Sequence, residues 1–275
     1  AKFGYTKDEF NESINNELLE AAGKVLTSKK SISQNISNTL NALAKFGYTK
    51  EEFDESINNE LLEATKKVFA DKYSNQQEIS NTLNALAKFG YTKEELNEFI
   101  NDKIAFETIE KVFTSKNSGS QSISIILNAL AKFGYTKDEL NKNINDGILF
   151  GAIEKVFADD NSNSQDISNT LNALAKFGYT KDELNKSIND KLLKAAEKVS
   201  TDKNSKLQEI SNTLNALAKF GYTKKELNKF INDRILFEAI EKVFTSKNSS
   251  SQSISIILNA LAKFGYTKDE LNKNI

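Results

Sequence analysis

Histidine, cysteine, methionine, proline and tryptophan are all absent from the 275 residues. Without cysteine there are no disulfides, no thiolate nucleophile and no cysteine zinc site. Without histidine, the usual general base and the commonest transition-metal ligand are missing. No apolar run is long enough to span a bilayer, and no basic-then-apolar leader opens the chain. Charge of one sign is lacking too. The net charge is −1, so no global field recruits nucleic acid, although a segregated patch is compatible with that balance. No GxGxxG, GK[ST] or nucleophile-elbow motif occurs. ADDNSNSQD (158–166) has the alternating oxygens of a calcium loop without its central glycine or closing glutamate. These absences predict a protein that runs no reaction and needs no cofactor or small-molecule substrate.

What is present is repetition. AKFGYT begins at Ala1 and returns at Ala44, Ala87, Ala131, Ala175, Ala218 and Ala262, at intervals of 43 or 44 residues. A fixed period of this size marks a repeat array, each repeat one supersecondary piece stacked on its neighbours. The reading is a single α-solenoid over 1–275: six full repeats starting at 1, 44, 87, 131, 175 and 218, plus a partial one at 262–275. Because it starts inside one repeat and stops inside another, the chain reads as a piece of a longer array. Hydrophobic content of 39% against 27% charge fits a folded, soluble protein; with neither a leader nor a membrane span in the sequence, the expectation is an intracellular monomer.

Residues 35–69 show the grammar of one repeat. Ile36, Leu40, Leu43 and Phe46 fall on one face of a helix of about three turns. Gly47 follows where a left-handed residue ends a helix, and Tyr48 folds back after it. Thr49 and Glu52 form a capping box that opens the next helix. The box recurs as Thr6/Glu9, Thr92/Glu95, Thr136/Glu139, Thr180/Glu183, Thr223/Glu226 and Thr267/Glu270. The second helical stretch runs from Lys50 to about Phe69. A break is expected at Asn58-Asn59, and at the Asn-Asp pair that takes its place in later repeats, because asparagine is a good N-cap and a poor helix interior. Ser/Asn-rich loops such as 115–121 close the repeat and are expected to absorb the one-residue length differences. No period-two alternation appears, so the fold class is all-α. Residues 44–144 match 175–275, which reads as duplication of a three-repeat block.

The string ISNTLNALAKFGYTK resembles the core of octotricopeptide (OPR-type) repeats, through an N-x-L-x-A-L-A-K-x-G-Y frame that is complete in four of the six such strings and lacks its first asparagine in the other two. It also looks like a related bacterial repeat of unknown function. Asparagine stands where that family has tryptophan, Thr-Lys where it often has proline, and the repeat is several residues longer. The resemblance implies an RNA-binding solenoid, cytoplasmic or organellar.

Two sets of residues are candidates for contact. On the first helix, opposite the apolar stripe, lie Asn38, Asn41 and Lys45. Stacked, they give a lysine row of Lys45, Lys88, Lys132, Lys176, Lys219 and Lys263. Beside it runs an asparagine row of Asn41, Asn84, Asn128, Asn172, Asn215 and Asn259, joined by Asn38, Asn81, Asn169 and Asn212. No acid falls between Ile36 and Lys50 or in the matching stretches, so local positive charge suits single-stranded RNA. The alternative is that these lysines favour helix C-termini and solubility alone. The second set is Phe106/Ile109, Phe150/Ile153 and Phe237/Ile240, which replace Glu20/Gly23, Glu63/Lys66 and Lys194/Glu197 at matching positions. They form either a protein-docking patch or packing against the next repeat. The partner is accordingly single-stranded RNA or a protein or peptide, with no membrane.

Overall fold

The computed structural model describes residues 4–274, and these contain helices and no strand. The chain divides into two compact bodies, with the helices of residues 120–158 contributing to both. The first comprises Ala1–Ser118 with Lys132–Tyr135 and Glu139–Ile148, the second Gly119–Ala131, Thr136–Asp138 and Leu149–Ile275. In chain order the helices are α1 (Glu12–Thr27), α2 (Ser33–Phe46), α3 (Glu55–Ala70), α4 (Gln76–Phe89), α5 (Lys93–Ile100), α6 (Asp102–Thr114), α7 (Ser120–Phe133) and α8 (Lys137–Asn143). They continue as α9 (Asp146–Ala158), α10 (Ser164–Phe177), α11 (Lys186–Thr201), α12 (Leu207–Lys219), α13 (Lys224–Leu227), α14 (Asp233–Thr245), α15 (Ser251–Phe264) and α16 (Lys268–Asn274).

Each body has two layers. In the first, α2 packs directly on α4 while α1 packs on α3 and α3 on α6; in the second, α10, α12 and α15 stack in series while α11 packs on α14. First helices thus meet first helices, and second helices meet second helices. This is the α-solenoid arrangement that the period predicts. The apolar stripe is the reason: Ile36, Leu40 and Leu43 on α2, and Ile79, Leu83 and Leu86 on α4, are all 2% exposed or less.

The AKFGYT phrase is where one helix stops and the next starts. Gly47, Gly90, Gly178 and Gly265 take φ of 90° to 94°, a region costly for any residue with a Cβ. The following tyrosine N–H then reaches back to the helix, Tyr48 to the Leu43 carbonyl at 3.3 Å and Tyr179 to Leu174 at 3.2 Å. The tyrosine ring does more than fold back. It is buried, and its hydroxyl donates to the second helix of the preceding repeat, 33 residues earlier: Tyr48 to Asn15 at 2.5 Å and Tyr135 to Asp102 at 2.8 Å. The capping boxes at Thr6, Thr49, Thr92, Thr180 and Thr223 all form.

Two expectations are corrected. Val68 to Ile79, Val112 to Ile123, Val156 to Ile167, Val199 to Ile210 and Val243 to Ile254 are all eleven residues, so the Ser/Asn-rich loops do not carry the length difference. The extra residue of the repeats starting at 87, 131 and 218 lies instead at the break in the second helical stretch. In the shorter repeats a single 3-10 turn leads into a 16-residue helix (α1, α3, α11) capped by Asn11, Asp54 or Asn185. In the longer ones the second helix starts at Asp102, Asp146 or Asp233 and has 13 residues. The Asn58-Asn59 pair therefore lies inside α3, because Asp54 already caps it by accepting from the Ile57 N–H at 2.8 Å. Asn58 instead accepts the Tyr91 hydroxyl. With one residue more, Asn101 becomes the cap, at φ 65°, and Asp102 takes over as the tyrosine's acceptor.

Candidate functional site

The first helices decide which side chains can face a ligand, since their apolar stripe is committed to the neighbouring helices. The outward side of α2 carries Gln34, Asn38, Asn41 and Lys45, at spacings of four, three and four that hold one line along a helix. The same line reads Gln77, Asn81, Asn84, Lys88 on α4; Gln165, Asn169, Asn172, Lys176 on α10; and Gln208, Asn212, Asn215, Lys219 on α12. On α7 and α15 isoleucine replaces the first asparagine: Gln121, Ile125, Asn128, Lys132 and Gln252, Ile256, Asn259, Lys263. All six lysines and all six glutamines are exposed, and the asparagines are exposed or half-buried. Among the described residues none of these side-chain amides has a protein hydrogen-bond partner.

The structure therefore places the expected Asn and Lys rows on an accessible face of each body and adds a glutamine to every rung. That glutamine was legible in the sequence as the residue two before each ISN or ISI string, had the face been extended one turn towards the helix start.

The electrostatics of the face are simple. The acids on these helices, Glu78, Asp166 and Glu209, are buried near the helix starts, so the lysines are the only exposed charges the six helices carry. They are close enough to interact. The packing around Lys88, and then the charge of Lys45, push the Lys88 ammonium below its ordinary value. In the second body a groove of about 310 Å³ opens between α12 and α15, lined by Gln208, Asn212, Gln252 and Ile256 of the stripe.

Five of the six Phe/Ile residues are buried, and none forms an exposed patch. Phe106 is 2% exposed, Ile109, Ile153 and Ile240 are 0%, and Phe237 is 4%. Phe150 is half-buried with its ring 5.8 Å from that of Tyr179. The docking patch gives way to packing, for a reason of frame. Because the extra residue precedes these positions, Phe106 and Ile109 match Leu62 and Thr65, and Phe237 and Ile240 match Leu193 and Ala196, all of them buried. The charged residues aligned to them without a gap are the wrong neighbours.

Two ionic features escaped the sequence reading. The lysine after each capping threonine reaches the capping-box glutamate of the next repeat: Lys7 to Glu52, Lys50 to Glu95 at 2.6 Å and Lys93 to Glu139 at 2.6 Å in the first body. The second body has Lys137 to Glu183, Lys181 to Glu226 at 2.5 Å and Lys224 to Glu270. The signal was a Lys–Glu spacing of 45 or 46 residues, visible only once the stacking is known. These contacts, then the threonine hydrogen bonds, hold the Glu183 and Glu270 carboxyls down at about 2, and Glu226 also at about 2 against some desolvation.

Asp166 behaves oppositely. Burial pushes its carboxyl up, although Ser124 donates to it at 3.0 Å; Asp159 and Glu209 add repulsion. A raised carboxyl binds protons better folded than unfolded, so Asp166 costs stability at neutral pH and less as pH falls. Asp166→Asn keeps the acceptor for Ser124 and removes the charge. It is expected to raise the melting temperature at pH 7 and to leave little change near pH 4, read by calorimetry at both.

No family model matches this chain, and no curated protein matches it. Solved structures do resemble it. The crystal structure of an engineered protein aligns over 91% of this chain and 98% of its own, at 22% identity and a TM-score of 0.51. A designed armadillo repeat protein aligns over 90% and 100%, at 18% identity and a TM-score of 0.53. The likeness is one of fold. It agrees with an all-helical repeat fold, and among the described residues no helix is long and apolar enough to cross a membrane.

Proposed function

We propose that the chain is a binding scaffold in which each body takes an extended, acidic polypeptide along the outward face of its own first helices. The observation that carries this reading is the Gln-Asn-Asn-Lys stripe, nearly identical from repeat to repeat, with lysine as its only charge. A surface that repeats recognises what repeats in its ligand. A primary amide both donates and accepts, and a polypeptide backbone offers a donor and an acceptor at almost every residue. A phosphodiester backbone only accepts. The lysines add attraction for acidic side chains.

The second reading is single-stranded RNA, favoured by the lysine row and by the OPR-like frame. Against it, the first-helix stripe has no aromatic side chain on which bases could stack.

Titration of fluorescent poly-L-glutamate, with oligouridylate in parallel, tests the proposal across a salt series. Poly-L-glutamate is expected to bind and to weaken with salt. The triple reversal Lys176→Glu, Lys219→Glu and Lys263→Glu is expected to lower its affinity at least tenfold without moving the melting temperature. Oligouridylate binding more tightly, with a slope of roughly −0.7 per phosphate neutralised, would replace the polypeptide by RNA. Absence of binding by either polymer at low salt overturns the scaffold reading for this face.

A further inference from the structure

The stripe departs from uniformity at one rung position, and both departures lie in the second body. Ile125 on α7 and Ile256 on α15 stand where Asn169 on α10 and Asn212 on α12 stand in between. The four helices are consecutive layers. Ser124 of α7 bonds Asp166 of α10, and α10, α12 and α15 pack in series. Ile125 and Ile256 are half-buried, each presenting hydrocarbon in a row of amides. Ile256 also borders the groove of about 310 Å³ between α12 and α15, whose other stripe residues are Gln208, Asn212 and Gln252. Isoleucine has no hydrogen bond to give a backbone, so a chain lying here gains contact at these two points only by burying an apolar side chain. Packing within the array does not by itself account for Ile125 and Ile256, since the fully buried member of each Ile-Ile pair is the following residue, Ile126 or Ile257.

Resting on the polypeptide reading above, we infer that this body selects its ligand by two apolar anchors, one against Ile125 and one in the groove beside Ile256. The backbone between them is held by the amides of α10 and α12, and acidic side chains face Lys176 and Lys219. Packed helices sit roughly 8–10 Å apart, so three steps from α7 to α15 span about 24–30 Å. An extended chain rises about 3.3 Å per residue, which puts the anchors roughly seven to nine residues apart. The ligand class is therefore an acidic, extended segment with two bulky aliphatic residues about eight positions apart.

Labelled glutamate-rich 14-residue peptides test this on the full chain by fluorescence anisotropy. One carries two leucines about eight residues apart, a second has them about four apart, and a third has serine in both places. The wide-spaced peptide is expected to bind at least tenfold more tightly than either control. The double variant Ile125→Asn, Ile256→Asn installs the residue that four other repeats carry at this position, so folding is expected to survive, as a melting curve verifies. It should bind the three peptides alike. Equal binding of all three by the unsubstituted chain, or a spacing preference that survives in the folded double variant, overturns the inference. If poly-L-glutamate still binds in a lysine-dependent way in that case, the scaffold reading stands and only the anchors fall. If no peptide and no poly-L-glutamate binds, the scaffold reading fails first and takes the anchors with it.

Discussion

Replacing Phe106 by alanine is expected to lower the unfolding free energy by about 3–5 kcal/mol, the usual cost of a large cavity in a packed interior. The ring is 2% exposed and lies 5.3 Å from the Tyr135 ring in an edge-on arrangement. Its removal therefore loses the transfer of a full aromatic side chain and an edge-to-face ring contact. The Tyr135 hydroxyl, which donates to Asp102, would also lose the neighbour that fixes its ring. Leu62→Ala in α3 should show a cost of the same kind, about 2–5 kcal/mol, because Leu62 is the position that Phe106 matches once the extra residue is counted. Glu63→Ala, at the position matched without a gap, should change stability little, since Glu63 is exposed with only a surface pair to Lys66. Chemical denaturation of the three variants checks the frame. A Phe106→Ala variant as stable as the parent would restore the docking-patch interpretation.

Acid is expected to loosen the stacking of repeats through the lysine–glutamate ladder. The sign follows from the direction of the shifts. Glu183, Glu226 and Glu270 titrate at about 2 in the folded chain, below the ordinary 4.5. A carboxyl held down by folding contributes stability that is present in full above its unfolded value and lost as pH falls through the folded one. The loss therefore begins near pH 4.5 and is complete near pH 2. Glu52 and Glu95 are also lowered: desolvation opposes, but hydrogen bonds from Lys7 or Lys50 and the capping threonine prevail. Because every rung joins one repeat to the next, their losses accumulate along a stack whose stability is a sum of neighbour interfaces. The melting temperature should fall steeply between pH 4.5 and 2. Converting Glu52, Glu95, Glu183, Glu226 and Glu270 together to glutamine should flatten that fall and lower stability at pH 7. A pH profile unchanged by the five substitutions would assign the acid transition to other groups, of which Asp166 works in the opposite direction.

Much of the repeat was legible in its residues because the information is local. Gly47 ends a helix by its own lack of a Cβ. Thr49 and Glu52 begin the next through bonds three residues apart, and Ile36, Leu40 and Leu43 define a buried face by period alone. The outward line follows from the same period: Asn41 and Lys45 lie opposite the apolar stripe of α2, whereas the burial of polar residues flanking such a stripe, Ser37 and Thr82 among them, depends on the neighbouring helices. The glutamine companions of Asn41 and Lys45 belonged to the same line.

What the sequence could not settle is everything that depends on matching one repeat to another. A 43- and a 44-residue repeat can be aligned with the gap at either end of the second helix; local propensity does not choose between them, and the constant Val–Ile spacing of eleven decides only once those residues are known to occupy matching interior positions. Tertiary structure chooses, because the tyrosine hydroxyl needs an acceptor on the preceding repeat and a polar atom buried without one is costly. That demand puts Asp102 where Asn58 stands, sends the extra residue to the break at Asn101, and turns Phe106 and Ile109 from surface candidates into interior. The ladder from Lys50 to Glu95 is hidden for the same reason: two residues 45 apart become neighbours only when one repeat is laid on the next.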